Sequence, residues 1–202
     1  MRYITRVDER SIDLRDARAQ PHPTDMFGGL VAGLSFGQPR LVTGIVMGPV
    51  NVEVQRCDKT PETVADGWED IVEFSCRSDV ADVYAAGPYA DTPAPDAALI
   101  PAGSHWFRVR AHARGRDLEY DLVASVPREE YLLLCWPAAP SDPSAIAAAS
   151  STARTYLASS PSTPNGEGAT VTATPPASRA ETERQRRQRE NLLRITRERR
   201  QH

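Results

Sequence analysis

The sequence predicts an all-β fold, an antiparallel β-sandwich of about seven to nine strands followed by a disordered linker and a basic C-terminal α-helix. Three observations carry this expectation. Apolar and polar residues alternate with a period of two through most of the first 136 residues. Gly- and Pro-containing turns, among them Gly28-Gly29, Gly37-Gln38-Pro39, Gly48-Pro49 and Gly87-Pro88, interrupt the alternation where strands should end. After Trp136 the composition changes abruptly, because 32 of the 42 residues from Pro137 to Ser178 are Ala, Ser, Thr or Pro.

Taken in order, strands are expected at 3–7, 11–15, 50–56, 70–77, 80–86, 105–113 and 131–136, with weaker candidates at 42–46 and 118–123. The clearest is 105–113, where Phe107, Val109, Ala111 and Ala113 alternate with Arg108, Arg110 and His112. One brief helix is expected at 60–67, with Thr60 as N-cap, Pro61 in the first turn and Gly67 as the stop. Trp68 then carries its ring into the core. These elements define a β-sandwich domain over residues 1–138. Residues 139–177 read as linker, since such a segment buries too little apolar area to offset its ordering entropy. A thin apolar stripe (Ile146, Ala149, Ala153, Leu157) marks a transient helix within it. Residues 178–202 read as an Arg-rich helix opened by a capping box of Ser178 and Glu181.

Charge divides the chain. Residues 1–136 hold 14 Lys and Arg against 21 Asp and Glu, whereas 179–202 hold nine Arg against four Glu. A basic tail of this kind neutralises nucleic-acid phosphates, which makes Arg184, Arg186, Arg187, Arg189, Arg194, Arg197, Arg199 and Arg200 candidate contacts to nucleic acid. The interspersed Glu and the absence of aromatic residues after Tyr156 favour a solvated helix instead. The 23 Arg beside a single Lys (Lys59) read as coding bias.

Three cysteines, Cys57, Cys76 and Cys135, make an odd set without metal-type spacing, so neither a disulfide framework nor a zinc site is expected. No apolar segment near the N-terminus or elsewhere resembles a signal or a membrane span, and cytoplasmic residence is the expectation. No cofactor is expected.

Three further patterns bear on chemistry. Gly33-Leu34-Ser35-Phe36-Gly37 matches G-x-S-x-G, the turn that presents a nucleophilic serine, but Pro39 follows at once and no helix pattern succeeds it, so Ser35 reads as part of a glycine turn. His105 and His112 are seven apart on one expected strand and therefore face opposite ways, which excludes joint metal binding on a regular strand. Arg108, Arg110, His112 and Arg114 form the candidate partner-binding stripe, with Arg116 in the following turn. The competing reading pairs these cations across the sheet with Glu53, Glu69, Asp70 and Glu73.

The segments WEDIVEFS, IPAGSHWFRVRAHARGRD and EEYLLLCWPAAP together resemble a group of uncharacterised β-rich bacterial proteins that carry P-x-G-x-[YW]-R-V-R-x-H-A-x-G-x-D followed by E-x-Y-x-x-x-x-W-P. More remotely the chain is similar to nuclease inhibitors of the competence protein J type. The match covers about residues 41–140. The second resemblance implies a β-sandwich that blocks a partner nuclease; neither brings catalytic residues with it. The combined expectation is a noncatalytic protein-binding module, inhibitor- or immunity-like, with nucleic-acid association through the tail and hydrolysis at Ser35 as the alternatives.

Overall fold

The computed structural model describes residues 1–79, 82–100 and 106–159. Its elements are β1 (Arg2–Val7), β2 (Ser11–Arg15), β3 (Arg18–Ala19), β4 (Val31–Ala32), β5 (Arg40–Val42), β6 (Gly48–Arg56), β7 (Asp70–Arg77), β8 (Tyr84–Ala86), β9 (Trp106–Arg114), β10 (Glu130–Pro137), β11 (Ser144–Ala148) and α1 (Ser151–Ser159). The fold is mostly β, as expected. A curled seven-stranded sheet runs β1-β6-β10-β9-β7-β11, with β3 also paired to β7, and a four-stranded sheet runs β4-β5-β2-β8.

Alternation decides which side of each strand is buried. On the large sheet Val50, Val52, Val54, Val72, Phe74, Phe107, Val109, Tyr131 and Leu133 turn to one face and join Ile12, Leu14, Val31 and Leu41 of the small sheet in a single core. The opposite face of β10 supplies Leu132, Leu134 and Trp136, which form a second, smaller cluster with Cys57 and Trp68. The middle of the large sheet is therefore covered on both faces, which explains why β10 is apolar from Tyr131 to Trp136.

Several expectations are corrected. The large sheet is not purely antiparallel: β10 runs parallel to β6, pairing Tyr131 with Val52 and Leu133 with Val54. Alternation reports the faces of a strand and not its partners, so this pairing is invisible in the sequence. The helix expected at 60–67 is an irregular loop, in which only the Gly67 turn (φ +79°) appears as anticipated. The weak candidate at 118–123 is a turn. Trp68 packs on the outer cluster, not in the main core.

The domain boundary at 138 also falls short. Residues 139–159 belong to the same compact unit as the rest of the β fold: β11 pairs antiparallel with β7, and α1 places Thr152 and Ala153 in the interior. Small side chains that cannot build a core of their own can fill one that already exists. Gly29 (φ +65°) lets the backbone of Ala153 lie directly against the turn, where any β-carbon would collide with it. The remaining linker and the basic helix expected at 178–202, with all of its candidate arginines, lie outside the described residues.

The Asp8–Ser11 hairpin turn holds Glu9 (φ +50°) and Arg10 (φ +61°) in left-handed conformations, the geometry of a two-residue turn that favours Asn and Gly. Arg10 is locked there, because its guanidinium donates to the Gly44 carbonyl at 2.9 Å, pairs with Asp121 and lies 5.1 Å over the Tyr120 ring.

Candidate partner-binding face

The outer face of the large sheet collects the residues that the sequence singles out. Cross-strand register aligns Arg108, Arg110, His112 and Arg114 of β9 with Trp136, Leu134, Leu132 and Glu130 of β10. On the other flank β7 sets Ser75, Glu73 and Ile71 beside Arg108, Arg110 and His112. All four predicted residues thus share one face, but only one end of the stripe reaches solvent.

Arg108 and Arg110 are only 7% and 6% exposed. Glu73 lies between them, 2.6 Å from Nε of Arg110 and 3.5 Å from Nε of Arg108. Their remaining donors hold the chain that covers the face. Arg110 donates to the carbonyls of Thr63 at 2.9 Å and Pro61 at 3.3 Å, and Arg108 to those of Ser141 at 2.8 Å and Asp142 at 2.9 Å. Each fork ties an irregular segment to the sheet, a use of planar donors that Lys cannot copy. Pairing across the sheet, the competing reading of these residues, describes Arg108 and Arg110.

His112 is wholly buried. Its Nδ1 lies 3.1 Å from the Leu132 carbonyl, and a carbonyl only accepts, so Nδ1 carries the proton and Nε2 a lone pair. Nε2 has no partner among the described residues, and the ring tilts against Trp68 at 5.6 Å. Burial pushes the pKa of His112 down and the Arg110 charge adds to this, against the Leu132 hydrogen bond and Glu73.

Arg114 is different. Its side chain is 43% exposed, lies 4.7 Å over the Trp68 ring and pairs with Glu130. Arg2 approaches Glu130 at 3.7 Å and Glu53 at 3.9 Å, so β9, β10, β6 and β1 carry a cation, two carboxylates and a cation in that order.

Arg116, grouped by sequence with this stripe, lies inside the fold. Its guanidinium pairs with Asp70 at 2.7 Å and donates to the Gly29 carbonyl at 2.8 Å, with both charged side chains fully buried. Asp70 also accepts from the Ser150 N–H at 3.0 Å and hydroxyl at 2.6 Å, which anchors α1. Nearby, Glu129 accepts from the N–H groups of Gly44 at 3.1 Å and Ile45 at 2.6 Å and from the Tyr131 hydroxyl. Burial raises its pKa despite those donors and the Arg116 charge. Gly44 has no room for a β-carbon, which would strike the Arg116 carbonyl oxygen. No sequence signal separates these buried groups from ordinary surface charges: Arg116 follows Arg114 in spacing, and Glu129 stands beside the exposed-end residue Glu130.

Ser35 occupies the expected turn, and its hydroxyl donates to Asp25 at 2.5 Å. The nearby His22 uses Nδ1 on the Thr24 backbone, 3.1 Å from its N–H. The serine is therefore bonded directly to a carboxylate, with no imidazole interposed. His105 lies outside the described residues. Among those residues no cluster of three metal-ligating side chains occurs, and no helix is long and apolar enough to cross a membrane. No protein-family model, curated protein or solved structure matches the chain.

Proposed function

We propose that this protein is a noncatalytic, sandwich-type binding module of the cytoplasm, whose protein partner meets the outer face of the large sheet at its Arg114 end. The observation that carries the reading is the half-exposed Arg114 guanidinium stacked on Trp68 and paired with Glu130, which Arg2 also approaches. Arg and Trp are the side chains that most often dominate binding energy, and a mixed pattern of charge selects a partner by complementarity. Arg108 and Arg110 fix the covering segments, and His112 packs its ring against Trp68.

The test is affinity capture with the whole chain and with Arg114→Glu and Trp68→Ala variants of unchanged melting temperature. One stoichiometric partner retained by the parent chain and lost by both variants is expected. A partner held equally by all three excludes this face. The resemblance to nuclease inhibitors makes a nuclease the first partner to assay, by measuring its cleavage rate with and without the chain.

The charge of the tail favours a second reading, nucleic-acid association through Arg184, Arg186, Arg187, Arg189, Arg194, Arg197, Arg199 and Arg200. Deleting the residues after Ser178 should then abolish duplex binding at low salt, whereas unchanged binding dismisses the idea.

A further inference from the structure

The free edge of β1 has a chemistry of its own. Antiparallel pairing with β6 begins at Met1, whose ammonium donates to the Val54 carbonyl at 2.7 Å while its carbonyl accepts from the Val54 N–H at 2.8 Å. That mutual pair fixes the phase of the ladder. Tyr3 and Thr5 face Val52 and Val50 with their hydrogen-bonding groups, so Arg2, Ile4 and Arg6 turn theirs away from β6. β1 ends the sheet, and among the described residues no strand pairs with this edge. Gly87 closes the Arg6 end of the edge: it abuts the Arg6 carbonyl and the Val7 Cα, and its N–H donates to the Thr5 hydroxyl at 3.1 Å, which leaves Arg2 to Ile4 open.

The side chains of the same three residues stand on the outer face. Arg2 has 60% of its side chain exposed and Ile4 is 60% exposed. Arg6 is exposed and makes no ion pair or side-chain hydrogen bond among the described residues. A groove of about 470 Å³ runs beside the strand, and its far bank carries Tyr89 (78% exposed), Pro93 and Asp91.

We propose that the β1 edge is a strand-addition site for an extended peptide segment of a partner protein in which acidic and apolar residues alternate. The edge amides and carbonyls supply the ladder, and the cation–apolar–cation order of Arg2, Ile4 and Arg6 calls for carboxylates on the outward face of the added strand. Its other face lies toward Tyr89 and Pro93 and is apolar, because Asp91 repels acid there. A second copy of this chain is a poor occupant: antiparallel pairing of two β1 edges about Ile4 sets Arg2 of one copy opposite Arg6 of the other. The inference does not depend on the Arg114 end being a contact, and the peptide assay is read separately from partner capture.

The experiment titrates the full chain with a fluorescent, end-capped (Glu-Val)4 peptide and with (Lys-Val)4, reading anisotropy and the amide exchange of β1. Saturable binding of the acidic peptide alone is expected, with slowed exchange at the Arg2 and Ile4 amides. Arg2→Glu with Arg6→Glu should weaken it about tenfold. Ile4→Pro, which deletes an outward N–H that the fold does not use, should abolish it. Equal affinity for the two peptides, or binding without amide protection in the parent chain, overturns the proposal. So does a sedimenting dimer that Ile4→Pro converts to monomer, since the occupant is then a second copy.

Discussion

Glu73 shows how a single carboxylate can organise a face. It is the shared counter-ion of two guanidiniums that are almost completely covered, and each of those guanidiniums holds a separate loop by its carbonyls. Glu73→Gln should therefore destabilise the fold by about 3 kcal/mol, because it leaves buried cations without a partner; urea unfolding of the variant measures this. His112 adds a pH dependence. Its folded pKa lies below the ordinary value of 6.5, so the unfolded chain binds the proton first. The corresponding stability is complete above 6.5, is lost as pH falls through that value toward the folded pKa, and should be absent in His112→Phe. Unfolding curves for both proteins between about pH 5 and 7 decide the point. Glu9 offers a change in the other direction. A left-handed Glu costs about 1 kcal/mol, and Glu9→Asn should recover part of it as a higher melting temperature while leaving the Arg10 contacts in place.

Among the elements, β11 and α1 show how weakly patterned sequence is fixed by polar anchors. Ser150 caps the helix, its hydroxyl accepting from the Ala153 N–H at 2.9 Å, and it also bonds Asp70. Asp117 accepts from the Thr152 hydroxyl at 2.7 Å and from the N–H groups of Ser151 at 2.7 Å and Thr152 at 2.8 Å, and these donors hold its pKa below the ordinary carboxylate value despite burial. Asp117→Ala should loosen α1 without unfolding the sheets. The expected signature is faster amide exchange over 150–159 together with unchanged exchange in β9 and β10. Protection that remains equal in both regions would show that the apolar contact of Ala153 with Gly29 suffices.

For the whole molecule, the boundary of the folded unit is the consequence most open to test. A chain ending at Ala138 loses the strand that completes β7 and the serine that bonds Asp70, so it should melt well below the parent or fail to fold. A chain ending at Ser160 retains every described contact of the unit and should keep the parent melting temperature. Equal melting of all three chains would mean that residues 139–159 contribute nothing. The sequence by itself determined that the protein is mostly β, where most long strands lie and which side of each is apolar, because a period of two is a local property of the chain. It also placed Arg108, Arg110, His112 and Arg114 on one face for the same reason. Only the tertiary structure decided that β10 lies parallel to β6, that the Ala- and Ser-rich segment completes the fold, and that three of those four polar residues are covered while Arg116 is interior. Burial and pairing depend on which distant segments arrive alongside, and alternation along one strand carries no record of them.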